Sequence, residues 1–180
     1  MSPTAEALLK MPVGDAPTYR YRTPPRRIEG LFWAQWTPTV PHHTAGKLSG
    51  AAARGMTYQR KCTKEIRRIS GGGSVLDPKW WIRFEDENGL GWAQPDICLD
   101  YEDDGVLFIL ECKLTHHEFA HLQLEGLYSP LLEYTHPGRA HVLVEMFKNF
   151  GGAKMGTQIS DLDAALNKAH AGILHWNYLP

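Results

Sequence analysis

The sequence has no long apolar run, no excess of either charge and few cysteines. No stretch approaches the roughly 20 apolar residues of a membrane-spanning helix, and the first residues lack the charged-then-apolar pattern of a signal peptide. The 19 Lys and Arg against 20 Asp and Glu give a net charge of −1, so any polyanion site must be a local patch. Three cysteines, an odd number, indicate reduced thiols rather than disulfides. We therefore expect a soluble, cytoplasmic protein.

Proline is concentrated at the start of the chain, where the first 45 residues hold seven of the twelve. Proline fixes the backbone and removes a hydrogen-bond donor, so residues 1–45 predict an extended arm and residues 46–180 one folded domain. Apolar residues that are expected to hold part of the arm on the domain are Leu31, Phe32, Trp33 and Trp36. The arginines of the arm, which could contact phosphates or remain solvated, are Arg20, Arg22, Arg26 and Arg27.

Residues 49–70 have the periodicity of a helix. Cys62, Ile66 and Ile69 recur at helical spacing, and the glycines at 71–73 end the pattern. Basic residues fall outside this apolar stripe and predict a basic ridge for phosphate binding: Arg60, Lys61, Lys64, Arg67 and Arg68.

The centre of the chain is typical of strands. Asn88-Gly89 predicts a tight hairpin, and the apolar run Val106–Leu110 predicts a strand buried on both faces. A capping box, Thr115-x-x-Glu118, starts a second helix. We expect an α/β fold with a mixed sheet, in which three antiparallel strands form a meander and a fourth strand extends it. The predicted strands are 80–84, 91–100, 106–110 and 141–145, and a last helix covers 160–172.

Two carboxylates and a lysine are expected to converge at one edge of this sheet. Glu111 and Lys113 follow the apolar run and, two residues apart, project from the same face of a strand. Asp96 lies in the preceding strand, which should pair with theirs. Carboxylate oxygens are ligands for Mg²⁺, and an ammonium beside them can orient a water and offset developing negative charge.

These residues resemble the PD-(D/E)XK nuclease superfamily. The match is Pro95-Asp96, fourteen residues, then Glu111-Cys112-Lys113, in the element order αβββαβ over about residues 49–147. The resemblance implies hydrolysis of phosphodiester bonds in DNA with Mg²⁺ or Mn²⁺. Asp96, Glu111 and the Cys112 carbonyl would bind the metal and Lys113 would orient the attacking water. The stretch from Cys112 onwards also resembles small nucleases encoded by phages.

Two further positions follow from the same resemblance. The RecB-like branch has a helical Gln-x-x-x-Tyr after the lysine, which implies a role for Gln123. Tyr128 lies one residue beyond the expected place, and a regular α-helix would not put it on the face of Gln123. Many members place an acidic residue on the first helix, and here Gln59 or Glu65 would be the metal-site residue.

A second motif and a second class of function remain open. His117-Glu118-x-x-His121 is the pattern of zinc peptidases, in which two histidines bind the metal and the glutamate is the base. No third zinc ligand stands at a typical spacing. A non-catalytic nucleic-acid-binding module on the same fold is the other alternative. The oligomeric state, a homodimer included, also stays open.

Overall fold

The computed structural model shows a mixed α/β protein with two sheets. The residues that it describes are 13–14, 26–37, 49–71, 73–76, 81–116, 118–149 and 173–180. The predicted last helix at 160–172 and the predicted domain boundary at residue 45 lie outside them. Within the described residues, no helix has the length and apolar character needed to span a membrane.

The first helix, α1, covers Gly50–Ile69, in agreement with the prediction. Tyr58, Cys62 and Ile66 recur every four residues and are buried on one side of it. Gly71 follows with a φ of 59°, a left-handed conformation that is common where helices end.

The larger sheet has a long strand, β7 (Val106–Thr115), at its centre. It pairs antiparallel with β6 (Ile97–Tyr101) and parallel with β8 (Ala140–Asn149). Beyond these lie β3 (Ser74–Leu76) next to β6, and β9 (Ile173–Asn177) next to β8, with β1 (Val13–Gly14) at the edge. The segment 173–177, in which the sequence predicted no strand, is therefore a parallel strand whose first three residues are buried.

The smaller sheet consists of β2 (Trp33–Thr37), β4 (Trp81–Asp86) and β5 (Gly89–Ala93). Strands β4 and β5 form the predicted hairpin, in which Gly89 adopts a φ of 91°. The prediction of one return strand over 91–100 was wrong, because Gln94, Pro95 and Asp96 divide it between the two sheets. Proline lacks the N–H that would continue the ladder, so the chain leaves the smaller sheet at that residue.

Between α1 and β8, the larger sheet and its helical segments follow the order helix, strand, strand, strand, helix, strand, with β1 before this series and β9 after it. The first of the three strands is β3 and not the predicted 80–84, of which residues 81–84 belong to β4 in the smaller sheet. The hairpin of β4 and β5 is thus inserted between two neighbouring strands of the larger sheet. A short strand such as β3 carries too little periodicity to be found from sequence.

The two faces of the larger sheet are covered by different layers, because alternate side chains of a strand point in opposite directions. On one face, Phe108 and Leu110 of β7 pack with the buried side of α1. On the other, Leu107 and Ile109 pack with the second helical segment and the smaller sheet. Glu111 and Lys113 continue the second series, and therefore lie on the face opposite α1.

The second helical segment has three parts. Helix α2 (Glu118–Gln123) passes into a π-helical turn (Leu124–Tyr128) and then into α3 (Ser129–Thr135). The prediction that Thr115 caps this helix was wrong, because Thr115 is the last residue of β7 and α2 begins at Glu118. The helical segment continues past Pro130. The face of the segment that packs on the sheet contains Leu124, Leu131 and Leu132, all fully buried.

The predicted N-terminal arm is packed more closely than the sequence indicated. Strand β2 is part of the smaller sheet, and Val13–Gly14 pairs with β9. Arg26 also packs onto the smaller sheet. Its guanidinium pairs with the carboxylate of Asp86 and donates to the Gly89 carbonyl at 2.7 Å. The side chain of Asp86 is fully buried, so Arg26 is a structural ion-pair partner rather than a solvated cation.

Replacing Arg26 by alanine should destabilise the fold. The change leaves a buried carboxylate without its cation, at an expected cost of about 3 kcal/mol in the free energy of unfolding. Urea unfolding followed by tryptophan fluorescence measures this cost. The control Arg60→Ala, at an exposed position of α1, should change the value by less than about 0.5 kcal/mol. Equal stability of the two variants would contradict the structural role of Arg26.

Candidate active site

The pairing of β6 with β7 brings Asp96 beside Glu111. Ile97 is the partner of Leu110, so the residue before Ile97 lies opposite the residue after Leu110. The backbone N–H of Cys112 donates to Oδ2 of Asp96 at 2.7 Å, which fixes the carboxylate at the end of β7. The structure therefore brings together the two acidic residues predicted to bind metal.

Lys113 completes this group. Its Nζ donates to Oε1 of Glu111 at 2.6 Å and to Oε1 of Gln123 at 2.7 Å. The Lys113 side chain is 24% exposed while that of Glu111 is only 5% exposed, so the ammonium lies at the mouth of the cluster. Gln123 therefore lies at the end of α2 and in contact with Lys113.

Tyr128 also reaches this cluster, which corrects the expectation for a regular helix. The intervening π turn is wider, and the Ser129 N–H donates to the Leu124 carbonyl five residues earlier. Residues five apart then lie on one side, so Gln123 and Tyr128 both face the sheet. The Tyr128 hydroxyl donates to the Gln94 carbonyl at 3.0 Å. The extra residue in Gln-x-x-x-x-Tyr was the signal that sequence reasoning could have used.

Pro130 gives a physical reason for the π turn. A proline inside a helix cannot donate to the carbonyl four residues earlier, and its ring crowds that carbonyl. Here the carbonyl belongs to Gly126, and the N–H of Ile28 donates to it at 2.8 Å. The segment before β2 therefore satisfies the acceptor that the proline leaves without a helical partner.

The acidic groups of the cluster carry unfavourable charge. Burial and the nearby Glu111 raise the pKa of Asp96 to about 8, although the Cys112 N–H and Lys113 act to lower it. The pKa of Tyr128 is raised by burial and by the charges of Glu111 and Asp96. Oε2 of Glu111 is buried and has no hydrogen-bond partner. The cluster thus offers carboxylate oxygens to a cation.

Neither candidate of the first helix joins this group. Helix α1 packs on the face that carries Cys112, whose thiol lies near Cys62, while Glu111 points to the other face. The carboxylate of Glu65 accepts two hydrogen bonds from Arg68, at 2.5 and 2.9 Å. The expectation that Gln59 or Glu65 completes the metal site was therefore wrong, because both lie on the helix beyond the opposite face of the sheet.

The predicted basic ridge of α1 is exposed along its whole length. Only its first part lies at the same end of the sheet as Lys113. There Lys61, with Arg54 and Lys148, lines a cavity of about 310 Å³ beside Leu114. Ser70, directly after α1, accepts a hydrogen bond from Tyr101 near the start of β7. Arg67 and Arg68 therefore lie near the far end of a strand about 30 Å long.

A second polar cluster lies next to the first and was missed by sequence analysis. Its members are His116, His121, Glu145 and His175. Of these, only His121 was singled out, and its predicted partner His117 lies outside the described residues. Glu145 is the register partner of Glu111 in the parallel strand, which sequence could have indicated only if the pairing had been known. Burial and the rings of His121 and His116 lower the pKa of His175 to about 3.

Comparison with known protein families, curated proteins and solved structures finds no match to this chain. The function must therefore be inferred from the chemistry of the two clusters. One is oxygen-rich, contains a lysine and opens to solvent through it. The other is rich in imidazole and closed.

Deleting Glu125 should test the π turn. Removing one exposed residue converts the π turn into an α turn and leaves the flanking helices in phase. It also places Pro130 inside a regular helix, so the free energy of unfolding should fall by about 3 kcal/mol while the protein still folds. The matched control is deletion of Lys64 from the regular helix α1, which rotates Ile66 by about 100° away from the core and should unfold the protein. Thermal unfolding followed by circular dichroism compares the two. An equal loss of stability in the two deletion variants would show that the turn is not a one-residue insertion.

Proposed function

We propose that the protein is a metal-dependent nuclease that hydrolyses phosphodiester bonds in DNA. The observation that carries the proposal is the contact group at the ends of β6 and β7. Asp96 and Glu111 lie side by side, and Lys113 bridges Glu111 to Gln123. A simple ion pair at the surface would need neither a second carboxylate beside Glu111 nor a helix that brings Gln123 to Lys113.

The donor set fits Mg²⁺ or Mn²⁺. Both ions prefer oxygen ligands and are held by one or two carboxylates together with waters and substrate phosphate. Asp96 and Glu111 would hold the ion, with Oε2 of Glu111 as a buried oxygen that has no other partner. The Cys112 carbonyl is the proposed third ligand. A divalent ion bound there would polarise the phosphate and lower the pKa of a coordinated water.

The remaining residues position and balance charge. Lys113, held by Gln123, presents an ammonium that can orient the attacking water and offset the negative charge that develops on the phosphorus. The Cys112 N–H holds Asp96, and Tyr128 holds the backbone at Gln94, two residues before Asp96. The site is therefore rigid before substrate arrives, which is what electrostatic catalysis requires.

The element order supports the finer fold assignment. We propose a PD-(D/E)XK core in which β3, β6 and β7 are the three consecutive strands and β8 is the fourth. Asp96 then precedes the second strand, and Glu111-Cys112-Lys113 lies in the second half of the third. Gln123 and Tyr128, one residue further apart than in the RecB-like pattern, both face the cluster because of the π turn.

The zinc peptidase alternative finds less support. A catalytic zinc keeps one coordination position open for water and substrate. The cluster that contains His121 is closed, since His116, Glu145 and His175 are all fully buried. A peptide could not reach a metal at that depth.

Replacing the proposed catalytic residues by isosteric neutral ones should abolish cleavage. Asp96→Asn, Glu111→Gln and Lys113→Met should each lower the Mg²⁺-dependent rate on DNA by at least about 100-fold, with little change in melting temperature. The exposed control Glu133→Gln should keep full activity. A folded Glu111→Gln protein with near-normal cleavage would overturn the proposal. Linear, circular, single-stranded and four-way-junction DNA as substrates would then separate endonuclease, exonuclease and resolvase activity.

The basic residues at the site's end of the sheet should bind the DNA backbone. Each lost phosphate contact flattens the log–log dependence of affinity on salt by about one unit. Lys61→Ala with Lys148→Ala should therefore reduce the slope by up to about two units. The matched pair Lys64→Ala with Arg67→Ala removes equal charge further along α1 and should reduce it less. A larger reduction of the slope in the variant that lacks Lys64 and Arg67 would place the DNA along the predicted ridge of α1 instead.

A further inference from the structure

The second polar cluster lies in the interior, between the carboxyl-terminal parts of β7, β8 and β9 and helix α2. His116, Glu145 and His175 are fully buried and His121 is 7% exposed. Such a concentration of polar side chains in a dry interior is costly unless each group has a partner. The cluster includes two buried ring nitrogens, Nε2 of His116 and Nδ1 of His175, that have no hydrogen-bond partner.

Four separate elements converge to build this cluster. Glu145 of β8 pairs in register with His175 of β9, so their side chains leave the same face of the sheet. His116 follows β7 directly and is fixed there by its backbone N–H, which donates to the Asn149 carbonyl at 2.7 Å. His121 is supplied by the last turn of α2. Residues far apart in the chain thus meet at one point.

The donor atoms of the cluster lie close enough together to bind one metal ion after small movements of the side chains. Nδ1 of His116 lies 2.5 Å from Oε2 of Glu145, and Nε2 of His121 lies 2.8 Å from Nε2 of His175. The same Nε2 of His121 lies 3.9 Å from Oε2 of Glu145. One ligand atom each from His116, Glu145 and His175 fall within 4.8 Å of one another. A tetrahedral zinc site separates its donors by about 3.3 Å, so the distances within this group would change by up to about 1.5 Å on binding.

We propose that His116, His121, Glu145 and His175 bind one Zn²⁺ in a closed structural site. Three imidazoles and one carboxylate suit zinc better than Mg²⁺, which takes oxygen ligands. Four protein ligands and deep burial leave no position for substrate, which distinguishes a structural site from a catalytic one. This site is separate from the oxygen-rich cluster, and it stands whether or not the protein is a nuclease.

The local charge also favours a cation at this place. Although burial acts to lower it, the pKa of Lys113 is raised by three carboxylates, those of Glu111, Asp96 and Glu145. Because the pKa of Asp96 is raised to about 8, this ammonium is opposed at neutral pH mainly by the carboxylates of Glu111 and Glu145, which leaves a net negative charge in a poorly solvated region. A zinc ion at Glu145 would neutralise part of it and leave Lys113 to the other two.

Zinc would also connect elements that the site depends on. His121 stands two residues before Gln123, which contacts Lys113. Coordination of His121 to a metal held by β7, β8 and β9 would fix the end of α2 against the sheet. The zinc site would therefore position Gln123 without touching any substrate.

The test measures metal content and metal affinity in the full-length chain. The double variant Asp96→Asn, Glu111→Gln serves as the background, because it removes the oxygen-rich site and leaves the histidine cluster. Protein purified without chelator and without a histidine tag should contain one zinc per chain by elemental analysis. After the metal is removed, Co²⁺ should bind with the visible absorption of a four-coordinate nitrogen and oxygen site. Zn²⁺ should displace it and raise the melting temperature.

Ligand variants then identify the residues. His175→Gln and His121→Gln should each weaken Zn²⁺ binding by more than the about 100-fold that loss of an outer partner costs. The control His136→Gln, a half-buried histidine outside the cluster, should leave binding unchanged. If the ligand variants do not fold, the Co²⁺ spectrum and the stoichiometry of the folded background protein decide. The proposal is overturned if that protein binds neither metal at one equivalent. It is also overturned if His136→Gln weakens Zn²⁺ binding as much as His175→Gln does.

Discussion

The hydrogen bond from the Cys112 backbone to the Asp96 carboxylate joins the two strands on which the candidate site depends. It forms because Pro95 interrupts the ladder, so that Asp96 stands just before β6 and its side chain takes the acceptor role there. The same interruption sends the preceding hairpin into the smaller sheet, which covers the helical segment that carries Gln123. One proline thus separates two sheets and places a carboxylate beside Glu111.

Local patterns predicted the residues of the site better than they predicted the sheets. Two-residue alternation was enough to put Glu111 and Lys113 on one face, and helical periodicity was enough for α1. Which strands pair is decided by contacts between distant parts of the chain, so neither β3 nor the place of β9 was visible. The histidine cluster depends on that pairing throughout. His175 acquires its neighbours only after β9 has joined β8.

A nearly neutral chain can still hold strong local fields. Three carboxylates act on Lys113 at one end of the larger sheet, while basic residues of α1 and β8 line a cavity at the same end. The sheet separates the two, because the acidic side chains point to one face and α1 covers the other. Net charge therefore says little about this surface, and the direction of each side chain says more.

The π turn has a consequence for how this chain can change during evolution. The extra residue lies between Gln123 and Tyr128, and the nearby Gly126 carbonyl is satisfied by Ile28 from the N-terminal segment. A lineage that lost the insertion would keep both side chains on the site but would alter the surface on which that segment docks. We therefore expect three features to be inherited together and to change together: the extra residue, Pro130 and the contact of Ile28 with Gly126.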